Sequence, residues 1–213
     1  MDFRKPLGRP YEPPYQPTVA KYTDNYIIMM SGSKMFSYAG QRIAIIAISD
    51  GLYHREYPLL KEWYRMSRLG DAYVFAVLYA VSSGASHSAQ YALAEMLRAA
   101  ADGELDFVTA AAEYARRASV TKKMFKENGF HIVYDMDGDE PVSDGFFYTV
   151  GYEGLSSGEL MGELIRYGIS TIALSTTGSR QDGVRICVSQ LNRPEQFDLL
   201  EERLRLFAID HIL

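Results

Sequence analysis

The sequence predicts an α/β protein built from two parts. Short apolar runs of strand character alternate with segments whose apolar residues recur at helical spacing. One stretch, Glu104 to Asn128, contains no internal glycine or proline and separates the two parts. The chain has 213 residues and 47% hydrophobic side chains, which is enough to bury a sizeable core. We expect a first domain at residues 1–103, a long linking helix at 104–128 and a small α/β domain with a mixed sheet at 129–213.

The first domain opens on a proline-rich segment. Fixed φ angles and missing N–H groups oppose helices and central strands, so we expect an extended connector here. Five of the chain's eight prolines lie in it: Pro6, Pro10, Pro13, Pro14 and Pro17.

Two apolar runs follow the connector, Tyr26–Met30 and Ile43–Ile48, and both have strand character. Helical spacing then predicts a helix over Pro58–Leu69, stopped by Gly70. The apolar stretch Ala72–Val81 predicts a buried strand or helix. A further amphipathic helix carries Ala89 to Ala100, with Gly103 as its stop.

The small domain is predicted from four β-like runs and two helices. One helix begins at Ser156, because Ser156 and Glu159 have the spacing of a capping box. The last begins near Asn192. The runs are Phe130–Tyr134, Gly145–Val150, Ile169–Leu174 and Val184–Gln190.

Composition excludes several classes of function. The net charge is -5 with dispersed Lys and Arg, which argues against a nucleic-acid surface. The longest apolar stretch, Ala72–Val81, is too short to cross a bilayer. The single cysteine, Cys187, cannot form an internal disulfide and is expected in the core. No secretory signal is visible at the N-terminus, so a cytoplasmic location is predicted.

The candidate site lies between the two runs of the first domain. Ser31, Ser33 and Lys34 directly follow the first run, and Gly40 and Arg42 lead into the second. A turn would therefore carry an amine, hydroxyls and a guanidinium. An amine reacts with a carbonyl, whereas hydroxyls and a guanidinium hold a phosphate. This chemistry suits a cofactor that has both groups.

These motifs resemble the cofactor-lysine segment of fold-type I pyridoxal-phosphate aminotransferases, class I/II. In that family a serine, two residues and the lysine are followed shortly by glycine and arginine. Two segments of the second half are similar to the family's small-domain strands, Pro141–Tyr148 and Tyr167–Ile169. Gly183–Cys187 resembles the strand that carries its carboxylate-binding arginine. The ordered set is more specific than any one motif.

The resemblance implies a role for each site residue. Lys34 would be catalytic, as the covalent anchor of pyridoxal 5'-phosphate and the group that moves the substrate's α-proton. Ser31, Ser33 and Arg42 would bind the cofactor phosphate. Arg185 would bind the α-carboxylate of an amino-acid or 2-oxo-acid substrate. No metal is implied. The complete enzyme would be a homodimer.

Some family elements are not recognisable in the sequence. They are a glycine-rich phosphate loop, a ring-stacking aromatic, an asparagine, and an aspartate followed by a tyrosine. Asp2 lacks the following tyrosine and is not assigned that role. We therefore expect a C-terminal portion of an aminotransferase, with part of the large domain and a complete small domain, that needs its upstream half for activity.

Several alternatives compete with amino transfer. A lyase with the same lysine and arginine would carry out β-elimination, and an inactive remnant would turn over no substrate. The pattern Ser31-x-x-Lys34 also matches an acyl-enzyme signature, but its partner motifs are missing and the lysine follows a strand instead of opening a helix. The acidic run Asp135–Glu140 lacks the bidentate ligand of a calcium loop, which favours a solvated turn.

Overall fold

The computed structural model describes residues 18–142 and 145–211. The predicted proline-rich connector, and Ser143 and Asp144 of the second-half motif, lie outside these residues. The chain divides into two compact units, and the division falls between Phe107 and Val108. The prediction of an α/β protein is confirmed, since helices and sheets occur together.

The first unit combines one β-hairpin with short helices. Its strands and helices are β1 (Ile27–Ser31), α1 (Gly32–Met35), β2 (Ala44–Ile48), α2 (Asp50–Tyr53), α3 (Pro58–Tyr64), α4 (Leu69–Asp71), a π-helical segment (Ala72–Leu78), α5 (Tyr79–Ser82) and α6 (His87–Ala101). Single 3-10 turns occur at Val19–Lys21 and Ala39–Gln41.

Strands β1 and β2 pair antiparallel from Ile27 with Ile48 to Ser31 with Ala44. Both predicted strands are therefore confirmed, and their apolar, β-branched composition explains them. Just beyond β2, the buried Ser49 hydroxyl donates to the Asp24 carbonyl at 2.5 Å. This bond fixes the open end of the hairpin and leaves the loop at its other end to carry the candidate site.

The prediction of one helix over Pro58–Leu69 is wrong. The helix ends at Tyr64, and Arg65 takes a left-handed conformation with φ 62°. The chain then turns back so that the Tyr57 N–H donates to the Ser67 carbonyl at 2.8 Å. This contact closes the segment on itself, which a helical pattern cannot anticipate.

Gly70 was expected to stop a helix, but it lies inside α4 and is buried. A Cβ at this position would come within 2.3 Å of the Tyr53 ring, so only glycine allows the contact. The stretch Ala72–Val81 is helical, but it is not wholly buried: Phe75 and Tyr79 are exposed.

Helix α6 confirms its prediction. Ala89 and Leu93 are buried on one face and pack with Ile43, the residue that precedes β2. Gly103 follows with φ 79°, the conformation expected of a glycine that ends a helix.

The second unit packs helices on a four-stranded sheet. Helix α7 (Phe107–Glu127) confirms the predicted long helix. It is followed by β3 (His131–Ile132), β4 (Met136–Asp137), β5 (Glu140–Pro141), β6 (Phe147–Gly151), α8 (Ser157–Arg166), β7 (Ile172–Ala173), a 3-10 turn (Leu174–Thr177), β8 (Val184–Cys187) and α9 (Pro194–Asp210). The four predicted runs each overlap one of the sheet's strands, β3, β6, β7 and β8.

The sheet order is β3-β6-β8-β7, and every neighbouring pair is antiparallel. The expected mixed sheet is therefore wrong. Helix α8 connects β6 to β7, which run parallel to each other as a helical crossover requires. Strand β8 lies between them and is antiparallel to both, so no described pair of neighbours is parallel.

The core of the second unit lies on one face of this sheet. Val150 and Val184 are fully buried there, and helices α7, α8 and α9 contribute Phe125, Leu160, Leu164, Leu204 and Phe207. The predicted start of α8 is confirmed, because the Ser156 backbone N–H donates to the Glu159 carboxylate at 2.9 Å in a capping box. Cys187 is exposed, contrary to the expectation, because it lies on the other face of β8.

Within residues 18–142 and 145–211, no helix is long and apolar enough to cross a membrane. Over the same residues, no group of histidine, cysteine and carboxylate side chains could hold a metal ion.

Candidate active site

The loop between β1 and β2 is tied together by Gly32. Its backbone N–H donates to the Ile43 carbonyl at 3.1 Å, and its own carbonyl accepts from Phe36 and Tyr38. A Cβ at Gly32 would come within 3.3 Å of the Ile43 oxygen, which is closer than nearly all real Cβ contacts. The glycine therefore lets the two ends of the loop meet, just beyond the last strand pair, Ser31 with Ala44.

Ser31 ends β1 and begins the one-turn helix α1. Its hydroxyl oxygen accepts a hydrogen bond from the Ser33 N–H at 3.3 Å. The hydroxyl hydrogen is then directed away from that N–H and can donate to an anion. Ser33 lies in α1 and is partly buried.

Lys34 follows strand β1 as expected, but it also lies in the one-turn helix α1, which was not expected. A single turn fits between Ser31 as the N-cap and Phe36, whose N–H returns to the Gly32 carbonyl at 3.2 Å. The Lys34 residue is exposed.

Arg42 closes the loop in a left-handed conformation, with φ 50° and ψ 51°. This region is sparsely populated by residues with a side chain, and such strain is frequent at binding sites. Its guanidinium donates to the Ala39 carbonyl at 3.0 Å. That bond uses one of five N–H donors and holds the side chain against the turn.

The donor set of this loop fits a phosphate-bearing aldehyde. Two hydroxyls and a guanidinium suit a phosphate, and an accessible amine suits the aldehyde. All four side chains come from one short connection whose ends are hydrogen-bonded to each other.

Arg185 belongs to the second unit and lies on β8, opposite Thr149 of β6. Its neighbours Val184 and Ile186 are buried on the core face, whereas Arg185 is partly exposed on the other face. This confirms that Arg185 points away from the core. Its guanidinium carbon lies 4.4 Å from the centroid of the Phe147 ring.

The start of β8 is held by a contact that the sequence did not predict. The Asp182 carboxylate accepts from the backbone N–H of Ser157 at 2.9 Å, and the Gly183 N–H donates to the Ser157 hydroxyl at 3.1 Å. The Phe147 ring was also missed as a neighbour of Arg185. Both contacts join segments that are far apart in the sequence, so no local pattern could have predicted them.

The fold is shared with solved structures of low sequence identity. The chain is similar to an alanine aminotransferase from Pyrococcus furiosus (TM-score 0.65, 15% identity, 95% of this chain and 47% of that one). It is also similar to YbdL from Escherichia coli, described as having a methionine aminotransferase function (TM-score 0.59, 18% identity, 88% and 44%). A third is an L-threonine-O-3-phosphate decarboxylase from Porphyromonas gingivalis (TM-score 0.54, 18% identity, 93% and 51%). The chain thus spans about half of their length.

The fold and the loop between β1 and β2 thus indicate a class of α/β proteins that includes several aminotransferases. More narrowly, the chain belongs to the family described as aminotransferase class I and II, which it matches over residues 7–202. The resemblance drawn from the sequence is thereby confirmed. A comparison with curated proteins finds no match.

Proposed function

We propose that the chain is the part of a pyridoxal-phosphate-dependent aminotransferase that anchors the cofactor and binds the substrate carboxylate. The observation that carries the proposal is the β1–β2 loop. It holds an amine, two hydroxyls and a guanidinium on one connection closed by the bond from Gly32 to Ile43. Family membership supports the same reading.

Each residue has a distinct task in the proposal. When bound, pyridoxal phosphate supplies an aldehyde and a ring that withdraws electrons from the substrate's α-carbon. Lys34 would hold the cofactor through its Nζ and would move the proton at the substrate α-carbon. Ser31, Ser33 and Arg42 bind the phosphate.

Arg185 binds the α-carboxylate of the amino acid or 2-oxo acid. A guanidinium stays charged and presents parallel donors that match a carboxylate. Fixing this end of the substrate orients the bond from the α-carbon to hydrogen relative to the acceptor of the proton.

Cofactor binding is tested by titrating the purified chain with pyridoxal phosphate and recording its visible absorbance. We expect a band that Lys34→Ala abolishes and Lys61→Ala, at an exposed lysine of the same unit, preserves. Bands of equal strength in both variants would overturn the role of Lys34.

One observation favours the inactive remnant, the alternative in which this chain alone turns over no substrate. Lys34 is exposed, whereas proton transfer at a substrate carbon needs a site that excludes water. Amino transfer from an amino acid to a 2-oxo acid distinguishes the alternatives. Acceptor-dependent transfer supports the aminotransferase, pyruvate released from serine without an acceptor supports a lyase, and neither product supports a remnant.

The assembly and location are also part of the proposal. A homodimer is expected from the family resemblance, and light scattering of the purified protein measures it. A cytoplasmic location agrees with a single, exposed cysteine that needs no oxidising compartment.

A further inference from the structure

The outer face of the second unit's sheet carries a guanidinium over an aromatic ring, with the Arg185 guanidinium carbon 4.4 Å from the Phe147 ring centroid. Arg185 lies opposite Thr149, and Phe147 lies opposite Cys187. Phe147 is therefore the diagonal neighbour of Arg185 on the same face, at a distance within reach of long side chains. The register of β6 and β8 sets this contact, because Tyr148 and Ile186 anchor the opposite face in the core.

The ring attracts the guanidinium without a hydrogen bond. The cation lies over the π electrons of the Phe147 ring, an attraction that needs none of its N–H donors. The N–H groups lie in the plane of the guanidinium and point outward from its edge, which is the edge that a carboxylate binds with two parallel bonds. The ring can therefore hold the group without competing for its donors.

A free arginine side chain loses considerable rotational entropy when it binds a ligand. A guanidinium that is already held over a ring has lost part of that freedom before the ligand arrives, which raises affinity.

We propose that Phe147 is a positioning residue that holds the Arg185 guanidinium so that its edge receives the substrate's carboxylate. The inference rests on the proposed function in one respect, that Arg185 binds the carboxylate. It adds Phe147 as the residue that orients Arg185. It also predicts that removing the Phe147 ring weakens the binding of ligands with a carboxylate and of no others.

The test uses the full chain labelled with ¹⁵N and follows the Arg185 Nε–Hε signal. A ring beneath the guanidinium shifts this proton upfield. Phe147→Leu removes the ring and Phe147→Tyr keeps it. Phe197→Leu is the matched control, because the Phe197 ring lies under a different guanidinium, that of Arg116, at 5.7 Å. Each protein is titrated with sodium propionate, and with propylamine hydrochloride as the ligand without a carboxylate.

We expect the upfield shift in the wild type, Phe147→Tyr and Phe197→Leu, and its loss in Phe147→Leu. Propionate should bind about two- to tenfold more weakly to Phe147→Leu than to the other three proteins, the range of a cation–π contact. Propylamine should not perturb the Arg185 signal in any of them.

Two results would overturn the proposal, and they differ in whether the role of Arg185 also fails. If propionate binds Phe147→Leu as well as the wild type, Phe147 does not position Arg185, while the role of Arg185 stands. If the wild-type Arg185 signal does not respond to propionate, the carboxylate role of Arg185 fails and the inference fails with it.

Discussion

Asp182 accepts a hydrogen bond from the backbone N–H of Ser157 at 2.9 Å and joins the first turn of α8 to the residue two places before β8. The Ser157 side chain is buried, and its hydroxyl accepts from the Gly183 N–H. At Gly183 a Cβ would lie 2.5 Å from the Val150 carbonyl, so this crossing is tightly packed. The contact fixes where the strand of Arg185 begins.

Asp182→Ala should destabilise the second unit. It removes the acceptor of an N–H at a helix start, and a lost partner of this kind costs about 1–3 kcal/mol. Urea unfolding measures the loss, with Asp139→Ala in the exposed turn between β4 and β5 as control. Equal midpoints for the two variants would show that the Asp182 contact contributes nothing.

Arg42→Gly should stabilise the first unit and weaken cofactor binding at the same time. The left-handed conformation costs an ordinary residue about 1–2 kcal/mol, and glycine avoids most of that cost. The same change removes the phosphate-binding guanidinium, and we expect about a tenfold or greater loss of pyridoxal phosphate affinity. Thermal unfolding and absorbance titration measure the two effects.

Arg65→Gly is the matched control for this variant. Arg65 is also left-handed, with φ 62°, but it follows α3 and is not part of the β1–β2 loop. It should gain similar stability and keep its cofactor affinity. If both variants bind pyridoxal phosphate as the wild type does, Arg42 is not a phosphate ligand.

Glu113 of α7 should support stability at neutral pH and lose that effect in acid. Hydrogen bonds from Arg116 and then Arg117 lower the pKa of its carboxyl from 4.5 to about 2. The unfolded chain takes up a proton below pH 4.5, but the folded chain does not until about pH 2. The stabilisation is therefore complete above pH 4.5 and is lost as the pH falls from there toward 2.

Glu113→Gln should flatten the fall in stability over this pH range, as measured by urea unfolding at a series of pH values. Glu95→Gln removes an exposed helical ion pair of the same spacing, with Arg98, and is the control. An unchanged slope in Glu113→Gln would contradict the prediction. The pair with Arg117 matters more than a surface pair, because Arg117 is mostly buried and also donates to the Ser189 carbonyl.

Local patterns predicted much of the fold. The strands beside the lysine loop follow from β-branched composition, and the start of α8 follows from the spacing of Ser156 and Glu159. The features that were not predicted depend on contacts between residues far apart in the sequence. The Tyr53 ring against Gly70 and the insertion of β8 between β6 and β7 leave no local mark in the sequence.

The candidate site also has parts that the sequence predicted and parts that it did not. Ser31, Ser33, Lys34 and Arg42 are neighbours in sequence, so one motif was enough to place them in one loop. Arg185 could be named by resemblance, but the ring beneath it depends on strand register, which the sequence does not reveal. Their roles with cofactor and substrate remain predictions.

The most direct measurement of the central claim is the identity of the lysine that bonds to the cofactor. The chain is incubated with pyridoxal phosphate, reduced with borohydride and mapped by peptide mass spectrometry. We expect the cofactor to be attached to Lys34 well above every other lysine. Labelling spread evenly over exposed lysines such as Lys21 and Lys61, with Lys34 no higher, would contradict it.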